Sequence, residues 1–393
     1  MATGSDVGSA APESLDAVVR SESAAPRRWR AWHLALPAGA ALGMNLWGIT
    51  GASFWRDEAA TLSVVRRQAP AFWRMLEHTD VVHGLYYVIM WPLVRVLGFG
   101  ELGARLPSAL AMSLAALGTA AIGRRLMSPR AGIAAGLTFA FLPVTSRYGQ
   151  EARSYAMVLA LAVLASYLLV RIVGADARGA APRRWLAAYA AVVALMGWAN
   201  LISLLLVPAH ALTLVWSRRS GPAGRLPGAD APAQWRHVRG WLISVAAAGA
   251  LVCPLVVLAW PQRHGTQRFL TPTTLASVGS VPRALTGSWP VLIAVLALGL
   301  AGAAAGGPRW TALRQLCLPW LLAPPLLLLA AGLATPAYDP RYILFCIPAV
   351  ALLAGGELDA VAIRAAAWLA NRARSTTASR SAAPPGRART DSL

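Results

Sequence analysis

The chain has 393 residues, 57% of them hydrophobic and 13% charged, and its formal net charge of +20 is carried by arginine alone because lysine is absent. That composition describes a polypeptide solvated by lipid, a polytopic membrane protein. The arginines cluster between apolar runs rather than along one face, which excludes nucleic acid as a partner. Cys253, Cys317 and Cys346 all sit inside apolar runs, so no disulfide framework is expected.

Residues 1 to 26 are rich in Ala, Ser, Gly and acidic groups and carry too little apolar surface to fold alone, which predicts a disordered cytoplasmic tail. The run from Ala31 to Ala52 follows Arg27, Arg28 and Arg30 and is longer than a signal-peptide core, so it reads as an uncleaved first span. Further runs at 106 to 123, 131 to 146, 155 to 173, 240 to 260, 290 to 305, 317 to 334 and 341 to 356 can each cross as a helix. The run from Trp185 to Trp216 would reach about 48 Å as one helix, against a hydrocarbon core of about 30 Å, so it is expected to turn near Gly197 to Asn200. Residues 84 to 98 are short, aromatic at one end and interrupted by Pro92 and Arg95, the features of an interfacial helix.

Arginine placement decides between the possible topologies, because cytoplasmic loops collect basic residues. With 84 to 98 lying flat and 185 to 216 crossing twice, 24 of the 36 arginines fall on the cytoplasmic side. Letting 84 to 98 span exports most of these to the wrong face. The reading is an all-α integral membrane protein of about ten transmembrane helices, with interfacial helices in a first outer loop at 53 to 105. A later outer loop covers 261 to 289. The membrane domain occupies 27 to 356, and residues 357 to 393 form a basic cytoplasmic tail, mostly disordered.

This topology gathers Asp57, Glu58, Asp80, His83, Gln150, Glu151, Arg153, Asp339 and Arg341 on one outer face. Asp57 and Glu58 stand together behind Arg56 where the first apolar stretch ends. A carboxylate there can accept a proton from a group presented at the membrane surface. The plain alternatives are a solvated helix cap for Arg56-Asp57-Glu58, an aromatic belt for Tyr86, Tyr87 and Trp91, and a mutual ion pair for Glu151 and Arg153. His83 with Asp80 and Glu77 is a weak ligand set, so no metal ligand and no cofactor is expected, and a divalent cation is unsupported.

Four stretches carry a family resemblance: the Asp57-Glu58 pair after the first span, Asp80-Val-Val-His83-Gly-Leu-Tyr86-Tyr87, Arg105-Leu-Pro-Ser-Ala-Leu, and Tyr148-Gly-Gln150-Glu151-Ala-Arg153-Ser-Tyr155-Ala. With Arg341-Tyr342 at the start of the last run, they resemble the glycosyltransferases of the C superfold. The branch they are most similar to contains protein O-mannosyltransferases and lipid A aminoarabinose transferases. The resemblance spans roughly 30 to 356, strongest from 53 to 172. It implies transfer of a sugar, most simply mannose, from a polyprenyl phosphate donor to an extracytoplasmic acceptor hydroxyl on a protein or cell-envelope glycan. Asp57 maps to the family's catalytic base, with Glu58 beside it. Arg56, Asp80, His83, Tyr86, Tyr87, Gln150, Glu151, Arg153, Tyr155, Arg341 and Tyr342 are the candidates for holding the donor's phosphate and sugar. Relatives often carry a proline-rich or lysine-containing element where this chain has His83-Gly84-Leu85, so either an arginine substitutes for the lysine or the donor grip differs. The expected setting is a bacterial plasma membrane, with both termini cytoplasmic and the site outside. A transporter or flippase of lipid-linked sugars is the alternative class, but such proteins place key polar groups at mid-membrane on broken helices, whereas these acidic residues flank the runs.

Overall fold

Backbone amides inside hydrocarbon must find partners within their own segment, and the apolar runs accordingly fold as α-helices. The computed structural model describes residues 31–174, 183–220, 231–262, 273–294, 297, 308–335 and 338–381. The 1 to 26 tail, most of the run at 290 to 305, and Arg263, His264 and Arg268 of the later outer loop lie outside the described residues.

The body that carries the site begins at Leu34. In chain order its α-helices are α1 (Ala35–Leu46), α2 (Arg56–Val65), α3 (Ala69–His78), α4 (Gly84–Leu97), α5 (Glu101–Leu126), α6 (Pro129–Phe141), α7 (Pro143–Gly149) and α8 (Tyr155–Val173). They continue with α9 (Arg183–Ala199), α10 (Leu206–Arg219), α11 (Ala231–Ala259), α12 (Leu275–Thr286), α13 (Pro308–Ala334) and α14 (Ile347–Ser381). Short 3-10 turns at Val81–His83, Leu201–Leu205 and Pro340–Cys346 join some of them.

Among the described residues, six helical segments are long and apolar enough to cross a membrane, and a seventh counts if the pair Ala69–His78 and Val81–Leu97, bent by 117°, is one span. The chain is a multi-pass membrane protein. Ten spans are more than these segments provide, since α1 has 12 residues and the expected span at 131 to 146 is interrupted. Leu142 is extended (φ −62°, ψ 128°) ahead of Pro143, whose ring disfavours helix at the preceding residue, so α6 ends and α7 begins anew. The long run at 185 to 216 does turn where its length demanded. α9 stops at Ala199, and the Asn200 side chain accepts a hydrogen bond from the Ile202 amide to start the next turn.

α5 is central and packs on α1, α6 and α8, while α14 packs on α6. Small residues permit the close approach: a Cβ on Gly123 would come within 2.9 Å of the Gly132 Cα, and one on Gly355 would collide with the Ala135 backbone. α11 exposes Leu242, Ile243, Leu251, Val256, Val257 and Leu258, an apolar face suited to lipid. Exposed Trp235 and Trp260 bracket that face, about 38 Å apart along a helix axis, as interfacial aromatics do. α14 runs on to Ser381, so the described part of the basic C-terminal segment is helical, in keeping with its alanine content. The remaining residues, 382 to 393, lie outside the description.

Candidate active site

The site is assembled around the start of α2. Trp55 is extended (φ −87°, ψ 172°) and its amide donates back to Glu58 Oε2 at 3.4 Å, closing the first turn of the helix. Asp57 and Glu58 therefore occupy the first turn, where a helix dipole favours negative charge. Neighbours in sequence, they diverge in space. Glu58 is completely buried and meets Arg105 of α5 in a two-pronged ion pair, Nε to Oε1 at 2.8 Å and Nη2 to Oε2 at 2.7 Å. The Ala152 amide donates to Glu58 Oε1 at 2.8 Å, and Arg105 Nη1 donates to the carbonyls of Ile49 and Ala52 at 2.7 and 2.8 Å. Every strong partner either charge needs is supplied, the condition under which a buried pair is tolerated.

Asp57 keeps 27% of its side chain exposed, and its Oδ2 accepts from Arg341 Nη1 at 2.7 Å. The contact ties α2 to the turn that opens the last span, 284 residues away in sequence. Arg341 also donates to Asp339, from Nη2 to Oδ2 at 2.7 Å and from Nε to Oδ1 at 3.0 Å, and its guanidinium carbon lies 5.7 Å from the centre of the Trp55 ring. Beside this cluster opens a cavity of about 580 Å³ whose wall includes Trp55, Arg147, Glu151, Arg283, Asp339 and Arg341. Asp57 borders it through Arg341 rather than forming its wall. A smaller cavity next to it is lined by Tyr155, Arg341 and Tyr342 together with Asn200 and Ser203.

A second polar group forms around Asp80. This residue adopts a left-handed backbone (φ 58°), a conformation aspartate accepts more readily than most residues. Its Oδ1 is 2.8 Å from His83 Nδ1, and its Oδ2 accepts from the Tyr87 hydroxyl at 2.6 Å. Burial opposes ionisation of Asp80, but the charge and hydrogen bond of His83, the Tyr87 hydrogen bond and the Arg153 charge outweigh it and hold the carboxyl below its ordinary value. Arg153 is held firmly protonated despite its burial by Tyr155, Tyr87 and Asp57. Glu151 behaves in the opposite way: burial dominates and pushes its carboxyl up to about 7, with Arg147, 3.9 Å away, opposing the shift. Its Oε2 is buried with no hydrogen-bond partner.

Several residues expected to hold the donor lie elsewhere. Tyr86 and Tyr87 are 3% and 1% exposed and pack with Leu62, Val65, Phe72 and Met90 in an apolar cluster, so neither ring faces the cavity. Gln150 donates to the carbonyls of Asn45 and Trp47 at 3.1 and 2.7 Å and thereby clasps the end of α1. Arg56 is exposed and is not part of the cavity wall. Conversely, Trp55, Arg147 and Ser280 stood outside the sequence reading, whereas Arg105 entered it only within a family-like stretch, Asp339 only as an outward charge and Arg283 only as part of the 261 to 289 loop. For Arg147 a signal exists in its position four residues before Glu151, one helical turn away. For Arg283 the signal is its place in the basic, acid-free outer loop at 261 to 289, which the sequence offers as a cover for the site, an acceptor contact or a plain connector.

Residues 85–223 match the family described as dolichyl-phosphate-mannose-protein mannosyltransferase. Among curated proteins none matches the sequence significantly. The fold is similar to the crystal structure of ArnT from Cupriavidus metallidurans in the apo state, with a TM-score of 0.58, 17% identity, and coverage of 82% of this chain and 59% of that one. ArnT from the same organism bound to undecaprenyl phosphate gives a TM-score of 0.59 at 17% identity, covering 85% of this chain and 61% of that one. The chain thus spans about six tenths of the length of the ArnT structures. Its fold is similar to that of the C-superfold glycosyltransferases, and residues 85–223 resemble the branch that holds the protein O-mannosyltransferases.

Proposed function

We propose that the protein is an inverting glycosyltransferase of the bacterial plasma membrane that moves a sugar from a polyprenyl phosphate carrier to an acceptor hydroxyl outside the cytoplasm. Both termini are cytoplasmic on this reading, the sugar is mannose, and the acceptor is a protein or a cell-envelope glycan. The carrying observation is the contact of Asp57 with Arg341 at 2.7 Å beside the 580 Å³ cavity. It joins a carboxylate from the first outer segment to a cation at the start of the last span. The family match over 85–223 and the ArnT complex with undecaprenyl phosphate support a polyprenyl phosphate donor.

In the reaction, the Asp57 carboxylate takes the proton of the acceptor hydroxyl. The freed oxygen attacks the anomeric carbon from the face opposite the phosphate. The carbon–oxygen bond to phosphate breaks as the new glycosidic bond forms, configuration inverts, and polyprenyl phosphate departs with the bonding pair. Arg341 orients Asp57, and Asp339 holds the same guanidinium from its other side. Glu58 serves by position: its oxygens are taken by Arg105 and by the Ala152 amide, so it anchors the turn that carries Asp57.

A second reading makes Glu151 the base, because it belongs to the cavity wall and its carboxyl titrates near 7, a value suited to proton transfer at neutral pH. Proteoliposomes supplied with radiolabelled polyprenyl phosphosugars decide both questions. Label should pass to acceptor with wild type and be lost in Asp57→Asn. Equal turnover by Asp57→Asn together with loss in Glu151→Gln would move the base to Glu151, and transport of the lipid-linked sugar without transfer would replace the enzyme reading by a flippase.

A further inference from the structure

Which cations hold the leaving phosphate is decided by what each arginine already touches. Arg341 donates from Nε, Nη1 and Nη2 to two carboxylates, Asp57 and Asp339, so its cluster has a net charge of −1 and repels a phosphate. Arg153 and Arg56 do not form part of the cavity wall. Two other guanidinium groups do. Arg147 closes α7 with 74% of its side chain exposed and lies 3.9 Å from Glu151, its carboxylate partner. Arg283 stands exposed on the last turn of α12.

We propose that Arg147 and Arg283 together form the phosphate grip for the polyprenyl phosphate donor, an assignment that rests on the glycosyltransferase reading above. The helices that carry them touch. α12 is capped by Gly287, whose backbone is left-handed (φ 83°) and lies so near α7 that a Cβ there would sit 3.0 Å from the Val144 nitrogen. Arg283 is four residues before that contact and Arg147 three residues after it, so each guanidinium stems from a point about one helical turn, or 5.4 Å, from the same junction. Both reach into one cavity, where the planar guanidinium fork matches phosphate oxygens in pairs. Burial keeps Glu151 partly protonated near neutral pH, so it offsets Arg147 only in part. With no lysine in the chain, arginine is the only side chain that can carry permanent positive charge to this site. Arg341 then orients the base, and the two exposed arginines receive the leaving group.

The test uses the full-length protein in nanodiscs and measures binding of undecaprenyl phosphate, of undecaprenol and of inorganic phosphate. The double variant Arg147→Gln, Arg283→Gln should bind undecaprenyl phosphate at least about tenfold more weakly than wild type, one lost charge-assisted contact corresponding to roughly that factor. The Lys versions should recover part of the loss, and Arg74→Gln, a change at an exposed arginine of α3, should bind as wild type does. Undecaprenol should bind wild type and double variant alike. Equal binding of undecaprenyl phosphate by wild type and double variant overturns the grip while leaving the glycosyltransferase reading intact. Failure of wild type to bind the lipid phosphate at all overturns both. Binding of inorganic phosphate but not of the lipid would assign the arginines to a free anion and equally defeat the proposal. A melting curve guards against misfolding, and Arg283→Gln alone, at an exposed position, should already weaken binding.

Discussion

Asp57 and Glu58 are the same chemistry one residue apart, yet the fold gives them opposite environments. Glu58 turns inward to Arg105, where both side chains are at most 4% exposed and every oxygen is occupied. Asp57 turns outward to Arg341, where both are about a third exposed. On a helix, adjacent residues point about 100° apart, so one first turn can serve the core with one carboxylate and a cavity with the next. One carboxylate of the pair is thus a structural anchor, and it fixes the angle at which the other is presented beside the cavity.

The sharpest way to break this comparison is to remove the anchor. Arg105→Ala leaves Glu58 charged, buried and unpaired and should cost about 3–5 kcal/mol of stability, read as a large fall in melting temperature or as loss of folded protein. Asp57→Asn should do the reverse: transfer falls by about 10²- to 10⁴-fold, while stability moves by no more than about 1 kcal/mol because the pair is partly solvated. Comparable losses of stability in the two variants would erase the distinction.

Glu151 sharpens it through pH. Its carboxyl ionises near 7 in the folded protein and near 4.5 in the unfolded chain, so the unfolded state releases its proton first and folding stability declines as pH rises from 4.5 to 7. Glu151→Gln removes that decline. Its stability advantage should grow across this window to roughly 3 kcal/mol and then level off, which melting curves at several pH values would read. An advantage that shrinks with rising pH would reverse the assignment. The smallest effect is predicted for Tyr87→Phe, which deletes one donor to Asp80 and should cost about 1–2 kcal/mol in the same assay. Its transfer rate should stay near wild type, since the ring packs in an apolar cluster away from the cavity.

The sequence alone determined what depends on local chemistry and on segment length. Composition required a helical membrane protein, the excess length of 185 to 216 forced the turn at Asn200, and the placement of charges outside the runs made Asp57, Glu151, Arg153 and Arg341 candidates. Pro143 shows how a run that looks continuous in hydropathy is still cut by one ring. Tertiary structure alone decided which way each charge faces. Glu58 and Gln150 look as reactive as their neighbours until Arg105 and the end of α1 are seen to occupy them. Tyr86 and Tyr87 look like a sugar platform until α2 and α3 are packed over them. Arg283 is one of several arginines in an outer loop until the left-handed Gly287 brings α12 against α7. Hydrophobicity and helix length are sums over a segment and can be read in one dimension, whereas a charge acts over a few ångströms, and its partners are chosen by contacts hundreds of residues apart.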